Sequence, residues 1–590
     1  MWRPILVFLV GTLGACVAND PIKCTVAGDC IQGGINGHCV ASPESSENWC
    51  AFIDPDCDGS GLRWGARAGD GLASQCVAGE GGHGNSVSVT VEGDGTGTVV
   101  STPAGIDCGT VCTHSFNDGN VTLAPTPSAT SFFEGWGGAC TGRDAECVMT
   151  LPGQTEVTAT FLRTGKTRWL QQMDGAVMNA QAGAALPDGD LVVAGIMVAG
   201  TARGVFVRAL RRDTGAARWT KVFRAELAYN RVSDIAIDGN GNVIVTGVVD
   251  DLPIDFDGIV VSPPPGGGSG AAGGVFLAKL SGSTGAVLWA QAFGHVNFYG
   301  TQPHKLAVEA DGSIYVGGAY NASFVLAGTT LALDGAAYLA KFTAAGTPAW
   351  AAEVGGSGAV AATTTLRALA LDKQSNVTIA ADFSGEISLG GIGYHATGSA
   401  DVVFAKFARL DGSYLLHDIV GSAGADKAVQ VRTTTSGTSV MLGTYEDSLD
   451  LGSGTLPGHN GFFVLELSAA GSHVSSFGIA PGSVVPRDFV LSPKDDDFWI
   501  VGNFGGDGAF GGPKLTPAGP GDGFLAKYSR SGVHIFSTRF GGTDTEKGVF
   551  GVATPDSIVF GGDFATFAEF GPDTLTAANS LGSFFWSVVP

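Results

Sequence analysis

Three carboxylates at alternate positions form the sequence pattern that comes closest to a metal site. Asp54, Asp56 and Asp58 are followed by Gly59, and a calcium loop begins with the same alternation of oxygen ligands before a glycine turn. The pattern then fails, because the twelfth position, where such a loop carries a bidentate glutamate, is Gly65. The segment is therefore interpreted as a polar turn between cysteines. Calcium is the weaker alternative, and no other cofactor is predicted.

A second acidic cluster and the closest pair of histidines fall in predicted loops. The cluster consists of Asp250, Asp251, Asp255 and Asp257. A solvated turn is favoured over a calcium site for these residues. The 10 histidines are scattered without ligand spacing, and only His295 and His304, in a loop that precedes a strand, approach a pair. A site assembled from several converging loops stays open.

Familiar catalytic motifs are missing from the sequence. There is no G-x-S-x-G, H-E-x-x-H or P-loop pattern. Two G-x-G-x-x-G strings, at 268–273 and 506–511, precede predicted outer strands rather than joining a strand to a helix, so glycine abundance explains them. The first follows Pro-rich residues 262–265 in a predicted flexible surface loop. No catalytic residue is predicted, and a non-enzyme is favoured.

Composition excludes one class of partner. The 590 residues include 92 Gly and carry a formal net charge of -23. Nucleic acid is an unsuitable partner because no basic stripe exists to neutralise phosphates. The acidity is interpreted as a solvated exterior.

The first residues predict export. Arg3 precedes an apolar run over 4–13, which is typical of a secretory signal and too short to span a bilayer. The following Leu13-Gly14-Ala15-Cys16 resembles the lipobox of bacterial lipoproteins, and this implies a signal peptide over 1–15 and acylation of Cys16. The alternative is cleavage after Ala18, with Cys16 discarded. The residues after Cys16 lack the acidic cue for inner-membrane retention, which favours an outer-membrane or surface location.

Cysteine parity agrees with lipidation. Eleven cysteines minus Cys16 leave ten, an even number, as closed disulfides require. Six lie in a segment over 16–80 with no visible core, which predicts a module that depends on disulfides. They are Cys24, Cys30, Cys39, Cys50, Cys57 and Cys76. Their pairing stays open among 15 connectivities. The spacings resemble Cys-rich segments of surface lipoproteins from predatory and soil bacteria.

Residues 85–162 alternate apolar and polar residues in short runs broken by Gly and Pro, which predicts strands and hairpins. The phrase order resembles the divergent internalin B-repeat, at Pro103, Gly105, Cys108, Cys112, Gly135, Trp136, Cys140 and Cys147. The resemblance implies a structural or adhesive spacer without catalysis. Spacing suggests pairs Cys108–Cys112 and Cys140–Cys147, and Trp136 is interpreted as a packing residue rather than a sugar platform.

From residue 165 onward, one phrase recurs seven times, with an apolar second strand that ends in a small residue. These end residues are Gly195, Gly247, Gly318, Ala381, Gly443, Gly502 and Gly562, separated by 52, 71, 63, 62, 59 and 60 residues. Short strands at this period mark units that must stack to bury their apolar faces. The spacing predicts a β-propeller.

The unit is best divided as VSDIAID, NVIVTG, FLAKL and VLWAQAF, because Trp219, Trp289 and Trp350 each follow a third strand. By this division, residues 167–171, which include Trp169, are a fourth strand that precedes the first unit. Residues 583–590 are a third strand that has no fourth strand after it. We predict that the two complete one blade. The predicted fold is all-β: a seven-bladed propeller over 165–590, closed by an N-terminal strand and preceded by two small disulfide-rich modules. In three later units the Trp is replaced, by Leu416, Ser475 and Phe536. The sequence does not explain why one of these residues is a Ser.

This region resembles the bacterial β-propeller repeat family (SBBP-like) at 238–247, 311–318, Lys279, Lys527 and 541–544. The resemblance implies a fold and no particular chemistry. The favoured hypothesis is a lipid-anchored binding or adhesion scaffold that recognises a protein or glycan. The alternatives are a hydrolase or lyase acting on an extracellular polymer from the propeller funnel, and a purely structural envelope component.

Overall fold

The computed structural model is an all-β protein with two compact units, Met1–Leu162 and Arg163–Pro590. One short 3-10 turn, Ala27–Asp29, interrupts the strands of the first unit. The structure describes residues 21–590 except 33–34, 55, 58–61, 78–84, 117–118, 152–154, 174–176, 200–201, 227–229, 251, 266–272, 297–303, 321–322, 333–335, 356–362 and 578–580. Within these ranges, no helix has the length and apolarity to cross a bilayer.

The Cys-rich segment has a small core held by three disulfides. Its strands are Ile31–Gln32, Ile35–Asn36, His38–Ala41, Asn48–Ile53 and Leu62–Trp64. The disulfides are Cys24–Cys39, Cys30–Cys50 and Cys57–Cys76, a pairing that the sequence left open. Trp49 and Trp64 form the centre of the core, and the Trp49 indole N–H donates to Asp70 at 2.9 Å. With so few buried side chains, cross-links supply much of the stability.

Residues 85–163 form two four-stranded sheets around one core. One sheet has the order Cys147–Leu151, Gly119–Pro127, Gly97–Thr102, Asp107–Cys108, and the other the order Ser131–Gly138, Glu156–Arg163, Asn85–Glu92, Thr113–Phe116. The predicted disulfides Cys108–Cys112 and Cys140–Cys147 are both present. Trp136 is buried, as predicted, and its ring meets Phe133 edge to face.

The second unit contains seven four-stranded antiparallel sheets in its described residues. In six of them, consecutive strands of the chain lie side by side in up-and-down order. Sheet one is Val177–Ala185, Leu191–Ala199, Ala202–Leu210 and Ala217–Glu226; sheet two is Arg231–Ile237, Val243–Val249, Gly273–Leu280 and Val287–Val296; sheet three is Lys305–Val308, Ile314–Ala319, Ala337–Phe342 and Pro348–Val354; sheet four is Thr363–Leu371, Val377–Ser384, Asp401–Phe407 and Tyr414–Val420.

The remaining sheets follow the same order with one exception. Sheet five is Lys427–Thr433, Ser439–Tyr445, Gly461–Leu467 and His473–Ile479; sheet six is Val484–Leu491, Phe498–Phe504, Asp522–Tyr528 and His534–Phe540; sheet seven is Lys547–Ala553, Ile558–Phe564, Gly582–Val588 and, from the other end of the unit, Thr167–Gln172. The predicted pairing of the strand that contains Trp169 with the last strand of the chain is therefore present, with Leu170 opposite Trp586.

The first strands of the seven sheets contact one another in sequence, and the first strand of sheet seven contacts that of sheet one. The middle strands are buried on both faces between neighbouring sheets. Every residue of Val243–Val249 and of Gly461–Leu467 is buried, for example. Such strands carry continuous apolar runs rather than an alternating pattern, which explains the repeated phrase.

The recurring Trp joins neighbouring sheets. Its indole N–H donates to a carbonyl in the turn between the third and fourth strands of the next sheet, from Trp169 to Arg212 at 2.6 Å and from Trp219 to Gly282 at 2.8 Å. Where the sequence has Ser475 instead, the ring of Phe477, two residues later, packs over the corresponding turn at Gly532. The Ser position is thus explained by a shift of the aromatic side chain along the same strand.

The Lys of the F-x-A-K-L phrase also has a structural role. Lys279 is buried and pairs with Asp238 at 2.9 Å, in the turn between the first and second strands of its own sheet. In sheet five the corresponding residue is Glu466, and its ion-pair partner is Arg530 in the turn of the next sheet. An ionic contact is thus kept, but with the opposite charge at this position and with a partner from a different turn.

Candidate functional site

A repeated bulge shapes the centre of the second unit. In six of the seven first strands, one residue falls out of register with the second strand: Gln181, Ser233, Arg367, Val429, Arg487 and Val549. The residue before each bulge lies opposite the small residue that ends the repeated second-strand phrase. A bulge adds local twist and redirects side chains.

The bulge explains why that small residue is so often glycine. A Cβ atom on Gly247 would lie 2.0 Å from the carbonyl oxygen of Arg231, and one on Gly562 would lie 2.1 Å from that of Lys547. The bulged first strand brings its backbone too close for a side chain. The repeated glycine in the sequence is therefore required by the bulge in the neighbouring first strand.

All seven first strands line one central cavity of about 130 Å³. Its polar lining includes Gln181, Ser233, Asp234, Lys305, Gln430, Arg432, Arg487 and Asp488. This is the place where loops and strands from all seven sheets can combine side chains. The lining is charged rather than composed of small apolar side chains.

The two carboxylates of the cavity are bound by backbone amides. Asp234 accepts from the N–H of Ile235 and of Leu306, both at 3.0 Å, and burial raises the pKa of Asp234. Asp488 accepts from the N–H of Phe489 at 2.8 Å and of Gly551 at 2.9 Å. Both acids thus connect one first strand to the next through backbone amides.

Asp488 also receives side-chain donors. Arg432 donates to its carboxylate at 3.0 Å and to the carbonyl of Phe489 at 2.6 Å, while the Gln430 amide donates to Asp488 at 3.0 Å. With four donor groups around it, Asp488 is a structural acceptor. Each oxygen of Asp234 also accepts one backbone amide, which reduces its capacity to take a substrate proton as a general base.

A larger groove of about 650 Å³ lies where the first strands of sheets five and six begin. Val484, Val485 and Tyr445 are among its lining residues, and the Tyr445 hydroxyl donates to the Pro457 carbonyl. The polar lining carries both charges: Lys427, Thr444, Glu446, His459, Asn460 and Ser483. A mixture of apolar residues and a few polar groups is the usual composition of a ligand site.

The predicted metal candidates do not converge in the described structure. Asp54 forms an ion pair with Arg63 and accepts the Asp56 N–H at 2.9 Å, which caps a turn, and the Arg63 hydrogen bond lowers the pKa of Asp54. Asp58 and the proposed lipid site Cys16 lie outside the described residues. The described part holds one group of three metal-type side chains, Cys24, Cys30 and Cys50, whose sulfurs are in disulfides.

The second acidic cluster is divided among separate contacts. Asp250 is buried and its N–H donates to Asn230, Asp255 accepts the Gly258 N–H at 2.6 Å in a short hairpin, and Asp257 pairs with Lys221 at 2.6 Å. Asp251 lies outside the described residues. These contacts belong to turns.

The two histidines are not in one loop, contrary to the prediction. His295 belongs to the strand Val287–Val296, whereas His304 directly precedes Lys305–Val308. His304 is buried, and its Nδ1 lies 3.1 Å from the Tyr338 hydroxyl. Burial, together with the nearby Arg231 charge, lowers the pKa of His304 from 6.5 to about 3.

Protonation of His304 should make the free energy of unfolding depend on pH. Because its folded pKa lies below its unfolded value, the unfolded chain binds more protons between the two, so stability is lost as the pH falls from 6.5 toward 3. At its steepest the loss is about 1.4 kcal/mol per pH unit. Urea unfolding of His304→Gln should show a weaker dependence between pH 6 and pH 5, whereas His473→Gln, at an exposed position, should keep the wild-type dependence. If the free energy of unfolding changed equally with pH in the wild type and both variants, the lowered pKa of His304 would be contradicted.

Three solved structures that match the chain are distant from it in sequence. A catalytically inactive virginiamycin B lyase from Staphylococcus aureus is 8% identical, with 70% of this chain and 98% of that chain covered and a TM-score of 0.35. A PL25 ulvan lyase is 13% identical, with 66% and 93% covered and a TM-score of 0.39. The WD40 propeller domain of Doa1 is 9% identical, with 72% and 97% covered and a TM-score of 0.32. No family model matches the chain, and no curated protein matches it.

Proposed function

We propose that the protein is a lipid-anchored envelope protein whose second unit is a seven-bladed β-propeller that binds a protein or glycan without catalysis. The groove beside Val484 and Val485 is the observation that carries this proposal. It combines apolar and aromatic lining residues, which suit a sugar ring or an aliphatic side chain, with donors and acceptors of both charges. Its volume is within the usual range of about 300–1,000 Å³ for ligand sites.

Local contacts support a preformed groove. The Glu446 carboxylate accepts the Ala425 N–H at 3.1 Å, and His459 lies 3.1 Å from Asp447. The side chain of His459 is 65% exposed and can reach a ligand. Since Glu446 is held by the backbone while His459 is open to solvent, the site offers a fixed acceptor and an adaptable donor.

The enzyme alternative is not favoured by the central cavity. A polymer-cleaving site would need acids that can exchange protons with substrate, and both cavity acids are occupied by backbone amides. A purely structural role would leave the groove without a ligand.

The binding test uses the chain with Cys16→Ser, applied to glycan arrays and to envelope extracts. The double variant Glu446→Ala/His459→Ala should weaken any recovered interaction by about tenfold or more, because each removed charged hydrogen bond contributes roughly 1.5–3 kcal/mol. The matched control is His473→Ala, which lies on an outer strand away from the groove. Absence of any ligand, or equal binding by the groove variant and the control, would contradict the proposal.

The anchor and the outer location are tested separately. In a bacterial host that acylates lipoproteins, the wild-type chain should fractionate with the outer membrane and incorporate labelled fatty acid. Cys16→Ser should abolish the label and release the exported protein. An unlabelled wild-type protein would overturn the lipid anchor and leave the groove proposal unaffected.

A further inference from the structure

The central cavity contains hydrogen-bond donors that have no acceptor among the described residues. The Arg487 Nε atom donates to Asn503 at 3.2 Å, which leaves its two terminal nitrogens without a partner there. Lys305 and Gln181 line the same cavity, and their side chains make no described hydrogen bond. None of these three residues is fully buried, so water or a bound ligand can reach their donors.

The carboxylates of the cavity already accept hydrogen bonds from other donors, and the charge of Lys305 acts on Asp234. Both oxygens of Asp234 accept backbone amides, and the oxygens of Asp488 are taken by amides, Arg432 and Gln430. No carboxylate accompanies Arg487, and burial lowers its pKa. The terminal nitrogens of Arg487 can therefore take an acceptor from outside the chain.

The charge of the lining favours an anion. Lys305, Arg432 and Arg487 outnumber Asp234 and Asp488, although the whole chain has a net charge of -23. A guanidinium offers parallel donors that match two oxygens of one ligand. A cavity of about 130 Å³ equals the liquid volume of about four waters, which suits a small ion.

We propose that the central cavity binds one small tetrahedral oxyanion, sulfate or phosphate, held by Arg487, Lys305 and Gln181. The ion would supply acceptors to first strands from sheets six, three and one, and so join strands on different sides of the cavity. This site is separate from the groove and does not depend on the proposed ligand of the groove.

Isothermal titration of the Cys16→Ser chain with sulfate and with phosphate, at an ionic strength held constant with chloride, tests the proposal. One saturable site is expected. Arg487→Gln and Lys305→Gln should each weaken it by about tenfold or more, and Arg487→Lys should weaken it less. Arg211→Gln, which removes a charge from an exposed turn, should bind like the unsubstituted protein, as should Glu446→Ala.

Two comparisons make the result decisive. Sulfate stabilises folded proteins in general by exclusion from their surface, so the thermal midpoint should rise more with sulfate in the unsubstituted chain than in Arg487→Gln. If Arg487→Gln does not fold by circular dichroism, Arg487→Lys and Gln181→Leu provide the same comparison. Non-saturable heats, or equal responses in all variants, would overturn the site. A sulfated monosaccharide should bind more weakly than free sulfate because of its size. If it bound as tightly as free sulfate, the assignment of the site to a free ion would be overturned.

Discussion

Replacing Trp169 with alanine should destabilise the second unit by about 3–5 kcal/mol, the usual cost of removing a large buried aromatic side chain. Trp169 is 7% exposed and packs in the core shared by sheets seven and one. Its ring lies over Gly215, and its N–H donates to Arg212 at 2.6 Å. The substitution therefore removes both apolar burial and the hydrogen bond that joins the last sheet to the first.

Trp219→Ala provides the matched comparison, because Trp219 makes the same contact between sheets one and two. In a closed ring the two contacts are equivalent, so both variants should lose similar stability in urea unfolding followed by far-UV circular dichroism. A large loss for Trp219→Ala with a loss below about 0.5 kcal/mol for Trp169→Ala would show that residues 167–172 contribute no closing contact.

Breaking the buried ion pair of sheet four should have a comparable effect. Lys406 and Asp372 are both almost fully buried, with 3.4 Å between Nζ and Oδ2, and Lys406 also donates to the Ala469 carbonyl in the next sheet at 3.2 Å. Lys406→Met leaves the Asp372 carboxylate without its cation. Removing one partner of a buried pair costs about 3–5 kcal/mol.

A double-mutant cycle separates the pair from its surroundings. Asp372→Asn keeps an oxygen for the turn amides of Gln374 and Asn376 but removes the charge. The double variant Lys406→Met/Asp372→Asn should lose clearly less than the sum of the single losses, because no unpaired charge stays buried. Additive losses in urea unfolding would contradict a coupled pair. Lys514→Gln, at an exposed pair with Asp507, is the control and should change stability by less than about 1 kcal/mol.

The sequence was informative wherever one residue type was required in every sheet. Trp169 was placed in the closing strand because Trp219, Trp289 and Trp350 occupy the same position relative to a third strand, and the structure shows the physical reason in one shared hydrogen bond. The repeated glycine was recognised by its period, whereas its cause, a bulge in the neighbouring strand, is a property of strand register that composition does not reveal.

Other features depend on contacts between distant residues. Ser475 looked like a missing aromatic residue because Phe477, two positions later, takes over the packing. Glu466 stands where other sheets have Lys, and the reason is its ion pair with Arg530 of the next sheet, which the sequence alone does not reveal. The hairpin Ile254–Phe256 and Ile259–Val261 was missed because three-residue strands inside a loop give too short an alternation.

The candidate sites were even less predictable. The groove and the central cavity combine residues from separate sheets, such as Lys427 with Ser483 or Lys305 with Arg487, and no local motif marks such a combination. The acidic clusters were visible in the sequence, but Asp54 and Asp257 are each used by a nearby cation.

Hydrogen exchange of the backbone amides in Thr167–Gln172 tests the closed ring most directly, because this strand pairs only with Gly582–Val588 in sheet seven. The inward-facing amides of Thr167–Gln172 should be protected to the same degree as those of the other outermost strands, such as His534–Phe540. Exchange at the rate of an unpaired chain, with the other outermost strands protected, would show that the seven sheets are not closed by this strand.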